Sequence, residues 1–356
     1  MHRTKKVTQR DIARKLGVSR TVVSYALNDR PDGYGNVTMR PDLRQMIRQA
    51  ASEMGYKQDK MATALREGRS GTIGIITAFS ENQVSTQRTN EICRQLQMHG
   101  YDYSLQMVSY EDESGWMKRF EKVFDLLENY RVDGFIIHQL FFDGDVSRIA
   151  EQRLLSAGRP VVLVSSYFSQ LFPIIGPDYF NAGYQLAKHI VAQGRRKLAA
   201  ISKQPSNIFS ISERFRGVQA VADEVEGASL RWIRFSSDDP SINGNEVMAG
   251  FLATEELLSE QIPEAIFYTN DLMACGGLNA LTARGIKIPE DVGITGFDGI
   301  NIAEFTQPPL TTAEQPVSAM AQKAVEMLIE MIRDPEYRPA GVTTVPCNML
   351  FRASSS

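Results

Sequence analysis

Apolar residues near the start of the chain come in short bursts rather than one long stripe. Over 10–29, Ala13, Leu16, Val18, Val23 and Ala26 are apolar, and Gly17 interrupts them. One continuous helix fits this spacing poorly, because a glycine in a helix interior costs about 1 kcal/mol. The pattern predicts two short helices joined by a tight turn. Thr8 caps the first, with Asp11 three residues on as its capping-box partner. Gly17 supplies the positive-φ turn, and Ser19 caps the second helix. Ala13 lets the helices cross closely, while Val23 and Ala26 face back onto the first. Arg20, Thr21, Ser24 and Tyr25 are left facing outward, which is the face of a helix-turn-helix. A third helix is expected beyond it, with Thr38 as cap and Pro41 in its first turn. Its stripe is Leu43, Ile47, Ala50 and Met54, and Gly55 ends it. Residues 57–70 then read as a short polar linker with a weak helical stretch at its centre.

From Thr72 the pattern changes to strands and helices in alternation. TIGIITAF is a strand, TNEICRQLQMHG a helix and YDYSLQMVS a strand. A helix near 116–129 precedes the strand DGFIIHQL, and another around 145–157 leads to RPVVLVSS. The cycle resumes with NAGYQLAKHIVAQG, KLAAISK, a helix after Arg214, LRWIRFS, NEVMAGFLATEELLS, EAIFYTND, LMACGGLNALTARG and DVGITGFD. Strands apolar on both faces, each followed by an amphipathic helix, predict parallel doubly wound α/β sheets. The units are too numerous for one small sheet, so two subdomains are expected.

Composition separates the head from the body. Residues 1–70 carry 15 Lys/Arg against 7 Asp/Glu, a charge of +8, and the rest carry 24 against 35, a charge of −11. A basic head on an acidic body points to a polyanion that only the head meets. Cys93, Cys275 and Cys347 are scattered and form no CxxC pair, so neither a disulfide framework nor a zinc site is indicated. No apolar h-region follows MHRTKKVTQR and no run reaches the ~18 residues of a membrane span. The expectation is a soluble, reduced, cytoplasmic protein with no cofactor and no membrane partner.

At this point the chain resembles the LacI/GalR family of bacterial transcription repressors. The phrases RDIARKLGVSRTVVSYALN, GYKQDKMATALREGRSGTIGII, RVDGFII, ERFRGV, FYTNDLMACGGLNALTARGIKIPEDVGITGFD and PPLTTAEQP carry the resemblance over nearly the full length. It implies a helix-turn-helix head (1–56), a hinge helix (57–70) and a type I periplasmic-binding-protein-like core of two Rossmann-like subdomains. Their expected bounds are 71–177 with 300–327, and 178–299 with 328–356. It also implies a homodimer or larger oligomer on a pseudo-palindromic operator, controlled by a small-molecule effector. No heptad segment follows Arg352.

The head agrees with this physically. A recognition helix enters the major groove and its N-terminal side chains reach base edges. Arg20 can pair bidentately with guanine, and Thr21 can contact a base or a thymine methyl. Tyr25 can reach a base edge or phosphate, or pack instead. By resemblance these three stand at base-reading positions, and Thr8 and Ser24 suit phosphate positioning. The segment DKMATALRE is too short to be a stable helix alone. In the family it folds on operator binding, and a leucine at the position of Leu65 wedges into the minor groove. Ala62 and Ala64 would let two hinge helices approach closely. One departure is the stretch DRPDGYGN (29–36), about five residues longer than the usual family connection by that resemblance. Its Pro and Gly make it a surface loop, either neutral or adding phosphate contacts through Arg30 or Tyr34.

In open α/β sheets ligands bind beyond the carboxyl ends of strands. That rule selects Phe79, His138, Ser165, Ser210, Arg214, Asn270 and Asp271. The resemblance implies that Arg214 donates to a ligand's hydroxyl or carboxylate groups and that Asp271 accepts from its hydroxyls or N–H groups. His138 is a polar ligand contact or a satisfied core histidine. Val84 and Ser85 stand where many members carry an aromatic pair, Asp239 where an aromatic often stacks, and Ser165 where an aspartate is frequent. Ring stacking therefore needs Phe79 or Tyr167 as a substitute. A sugar or sugar derivative is the family default. A transporter's solute-binding protein shares the core fold but not the basic head. An enzyme lacks support, since no HExxH, Gly-x-Ser-x-Gly or P-loop occurs and the four histidines are far apart.

Overall fold

The computed structural model describes residues 7–27, 39–56, 69–78, 83–108, 113–129, 131–140, 144–203, 208–237, 239, 242 and 245–356. The expected hinge helix with Leu65, the 29–36 loop, Thr38 and Phe79 lie outside the described residues. The chain forms two compact units, Met1–Ser70 and Gly71–Ser356.

The first unit has helices α1 (Gln9–Leu16), α2 (Arg20–Leu27) and α3 (Pro41–Glu53). Its caps follow from the sequence. Thr8 donates to Asp11 Oδ2 through its backbone N–H at 2.9 Å and its hydroxyl at 2.6 Å. Gly17 ends α1 at φ 68°, where a side chain would be strained. The Val22 N–H donates to Ser19 Oγ at 3.3 Å, capping α2. Arg40 takes the capping position of α3, with Pro41 in the first turn. Ile12, Ala13, Val23, Ala26, Ile47, Ala50 and Ala51 close the small core.

The second unit runs β1 (Thr72–Ala78), α4 (Gln83–Met98), β2 (Asp102–Val108), α5 (Glu113–Asn129), β3 (Gly134–His138), α6 (Gly144–Ser156), β4 (Val161–Val164) and β5 (Pro173–Pro177). It continues with α7 (Tyr179–Ala192), β6 (Lys197–Lys203), α8 (Phe209–Glu224), β7 (Ser229–Phe235), α9 (Glu246–Glu260), β8 (Ala265–Tyr268), α10 (Asp271–Ala283) and β9 (Gly293–Asp298). The last elements are α11 (Ile302–Phe305), β10 (Thr311–Glu314), α12 (Val317–Arg333), β11 (Gly341–Val345) and β12 (Asn348–Leu350). Two six-stranded sheets result, ordered β11-β5-β4-β3-β1-β2 and β12-β10-β9-β8-β6-β7. Among the described residues all pairs are parallel except β10 with β12. This is the expected α/β class, with apolar strands covered on both faces.

Two sequence expectations change, and one strand had not been expected. The helix expected after Arg214 begins at Phe209, so Arg214 sits inside it. The strand β5, PIIGP, carries two prolines and gave no pattern to read, yet it pairs with both β4 and β11. The assignment of 300–327 to the first subdomain and of 328–356 to the second does not match the strand pairing. β10 pairs with β9 in the second sheet, α12 packs Met320, Ala324, Leu328 and Ile332 on the first sheet, and β11 joins that sheet before β12 returns to the second. The chain therefore crosses between sheets after β5, after β10 and after β11.

Candidate functional site

Both sheets reverse strand order, at β1/β3 and at β6/β8, and the carboxyl ends of their strands are where side chains can converge on a ligand. A cavity of 310 Å³ lies there, at the small end for ligand sites. The first sheet lines it with Val84, Ser85 and Arg88 from α4, Gln139 after β3 and Ser165 after β4. The second lines it with Lys203, Ser210, Arg214, Glu246, Thr269, Asn270 and Asp298, and two crossings between the sheets add Tyr179 and Gln315.

Arg214 is positioned by helix packing. A Cβ on Gly183 of α7 would stand 1.9 Å from the Arg214 carbonyl oxygen, so the glycine is what lets α7 and α8 approach. The Arg214 guanidinium lies 3.8 Å from the Phe297 ring centroid and 4.9 Å from that of Tyr179. It donates to the Thr269 carbonyl and stands 3.7 Å from Asp298 Oδ1. Asn270 caps α10, its Oδ1 accepting from the Met273 N–H at 2.8 Å, and its Nδ2 donates to Glu246 at 3.3 Å.

On the other side, Arg88 donates 2.5 Å to Gln315 Oε1, and Gln315 Nε2 donates 2.6 Å to Asp298 Oδ1. This chain of side chains spans the two sheets. Arg88 Nη1 also lies 3.1 Å from His138 Nε2. A guanidinium has no acceptor, so His138 Nε2 must present its lone pair and Nδ1 carries the proton. The Thr77 and Thr89 hydroxyls, 3.1 and 3.2 Å from Nδ1, take that proton's hydrogen bond. Burial, with Arg88 adjacent, lowers the His138 pKa well below the usual histidine value and keeps the ring neutral. Burial also lowers the Arg88 pKa from that of a free guanidinium.

Backbone strain gathers at the same place. Gln139, Ser165 and Asp298 hold positive φ (53°, 49° and 111°) and all three line the cavity. Such conformations cost free energy and persist where the surroundings enforce them. Gln139 Oε1, Ser165 Oγ, Thr269 Oγ1, Arg88 Nε and Arg214 Nε are buried there without a hydrogen-bond partner. Unmade hydrogen bonds of this kind are what a ligand can supply.

Val84, Ser85, Ser165, Ser210, Arg214 and Asn270 of the expected set line the cavity. Three others do not. His138 is fully buried behind Arg88, as a satisfied core histidine that orients its neighbour. Asp271 is fully buried beneath Gly296, accepting from Thr312 Oγ1 at 2.6 Å and from the Ile300 N–H at 2.9 Å. Burial, with the Asp298 charge, pushes its carboxyl up to about 8. Both oxygens are committed inside the protein, so Asp271 is not a ligand acceptor; Asp298, at the end of β9, and Glu246, in α9, are the carboxylates that line the cavity. Asp239 is exposed and takes no part in the lining. Tyr167 cannot serve as a stacking platform, because its ring is packed on Phe209 at 4.3 Å and against Gly176. Arg88 carried one signal, a cation four residues from both Val84 and Ile92 on an otherwise buried helix face. Asp298 satisfied the strand-end rule, and Gln315 lies in the phrase PPLTTAEQP, where no pattern marks it as a site residue.

In the head, Arg20 and Thr21 are exposed on α2, and Ser24 and Tyr25 are half-buried, with Tyr25 packed against the head's core. The Thr8 hydroxyl proton is engaged by Asp11.

Comparison with known proteins bears on both units. Residues 187–355 match the periplasmic binding protein-like domain family. The chain is 28% identical over 330 residues to the HTH-type transcriptional repressor PurR of Haemophilus influenzae, covering 91% of each. It is 29% identical over 321 residues to the HTH-type transcriptional regulator DegA of Bacillus subtilis, covering 88% of each. Among solved structures, a lac repressor dimer bound to operator and the anti-inducer ONPF aligns with a TM-score of 0.82 at 22% identity, covering 99% of each chain. A transcriptional regulator CelR–cellobiose complex aligns with a TM-score of 0.65 at 23% identity, covering 98% of this chain and 100% of that one.

Proposed function

We propose that this chain, which belongs to the LacI/GalR family of transcriptional regulators, represses transcription by binding a pseudo-palindromic operator as a homodimer, under the control of a small polar ligand in the cavity between its sheets. Its relatives are regulators and not enzymes. The observation that carries the reading is a capped helix-turn-helix joined in one chain to a polar cavity formed by both sheets. The head makes a transporter's solute-binding protein a poorer fit.

On this reading Arg20 and Thr21 of α2 read base edges in the major groove and Ser24 and Tyr25 hold the backbone. Tyr25 supports α2 as well, since its ring packs inward. Leu65 of the linker acts as the minor-groove wedge implied by the family resemblance. In the cavity Arg214, Asn270, Asp298 and Ser165 meet the ligand. A ligand shifts DNA affinity only through different affinity for two arrangements of the subdomains, typically by about 1–3 kcal/mol. The Arg88–Gln315–Asp298 chain spans the gap that such a change would alter.

The test is a binding titration on operator sites selected from random DNA. Arg20→Ala should lose about 1–3 kcal/mol and relax preference at one base pair per half-site. Arg214→Ala should bind operator as the parent does but no longer respond to the ligand. Parent-like base preference in the Arg20 variant, or a full ligand response in the Arg214 variant, overturns the respective assignment.

A further inference from the structure

We propose that the ligand is a small organic anion, a carboxylate or phosphoryl group on a hydroxylated body, and that Arg88 is its principal anion-binding residue; this rests on the cavity being the ligand site. Among the described lining residues the cations are Arg88, Lys203 and Arg214, against the acids Glu246 and Asp298. Asp298 is the ion-pair partner of Arg214. Arg88 is 3% exposed, and its hydrogen-bond partners are a Gln315 amide and a neutral imidazole.

A buried guanidinium whose hydrogen bonds go only to neutral groups is costly; the Asp298 charge beyond Gln315 offsets part of that cost, and the rest persists when a neutral sugar fills the space. An anionic oxygen removes it, because charge-assisted hydrogen bonds are about twice as strong as neutral ones. The Nε of Arg88 is buried without a hydrogen-bond partner. Gln139 Oε1, Ser165 Oγ and Thr269 Oγ1, also unpartnered, suit the hydroxyls of the ligand's body. The His138 tautomer fits the same design. With Nδ1–H tied to two threonines, its Nε2 aims the guanidinium without neutralising it.

The experiment is thermal unfolding of the full chain at constant ionic strength with inorganic phosphate, D-glucose 6-phosphate, D-glucuronate or D-glucose. At least one anion should raise Tm, by about 5 °C at 100 times its Kd, and D-glucose should not. Arg88→Met should lose the shift and Arg88→Lys should keep most of it; Arg88→Gln reads the same loss should Arg88→Met fail to fold. The comparison between variants removes any anion effect on the basic head. A shift with glucuronate alone assigns the carboxylate, and one with the phosphates alone assigns the phosphoryl group. No anion shift, or an equal one in Arg88→Met, overturns the proposal. A shift with D-glucose alone overturns the anion and leaves the cavity as the ligand site, whereas failure of that reading appears separately in the Arg214→Ala operator titration.

Discussion

The two sheets repeat one strand order, but the guanidinium that each half brings to the cavity is held by different chemistry. Arg214 lies against two aromatic rings and has Asp298 at 3.7 Å. Arg88 has an amide and a neutral histidine. The topology determines where a cation can reach the cavity, and single side chains determine whether it is already neutralised. The half that supplies its own counter-charge has its cation already paired, while the other gains most from an anion.

The largest expected effect separates the two halves by stability. Arg214→Ala should cost about 3 kcal/mol in denaturant unfolding, because Asp298 loses its buried ion-pair partner. Arg88→Met should cost less than about 1 kcal/mol or stabilise the ligand-free protein, because an apolar stem replaces a buried charge that no carboxylate contacts directly. Equal losses would erase the distinction.

Gly183→Ala should come next, at about 2 kcal/mol, because the new methyl meets the Arg214 carbonyl at 1.9 Å and overpacks the α7–α8 contact. The same variant should blunt the ligand response by displacing Arg214. A parent-like melting curve would show that α7 and α8 separate freely.

The third test concerns Asp271, the second carboxyl of that half. Its folded pKa, about 8, lies above the unfolded value of about 4. The folded state therefore holds a proton that the unfolded chain has released, and this contribution to stability declines as pH rises from about 4 to about 8. Asp271→Asn removes the titration. The parent should lose about 2 kcal/mol relative to the variant between pH 6 and pH 8, read from urea melts at both values. A difference independent of pH would make Asp271 an ionised carboxylate in the fold.

Thr89→Val should show the smallest effect, under about 1 kcal/mol, since Thr77 still accepts from His138 Nδ1–H. Its use is on the ligand side: a large loss of anion affinity would mean that the histidine's orientation depends on Thr89 alone.

Much of this was legible from local pattern. The capping box at Thr8, the positive-φ turn at Gly17 and the Ser19 cap each depend on residues within three or four positions. The strand-end rule found Ser165 and Asn270 for the same reason, since each stands within two residues of a strand, and it reached Ser210 and Arg214 although they lie beyond β6 in the first turns of α8. It chose Asp271 over Asp298 because a strand end does not reveal which carboxylate turns inward. Gly296 decides that, since a Cβ there would stand 2.2 Å from Asp271 Oδ1. The strand PIIGP was unreadable because its identity depends on pairing with β4 and β11, the latter more than 160 residues later in the chain.

By itself the sequence determined the helix-turn-helix with its caps, the parallel α/β class and the basic head on an acidic body. Hydrophobic period, turn chemistry and charge are local properties that need no distant partner. Only the tertiary structure decided how the chain crosses three times between the sheets, and which polar residues face one cavity. Arg88 meets His138 fifty residues on and Gln315 more than two hundred residues on. Its charge state and role depend on burial and partners, which exist only after both sheets have formed.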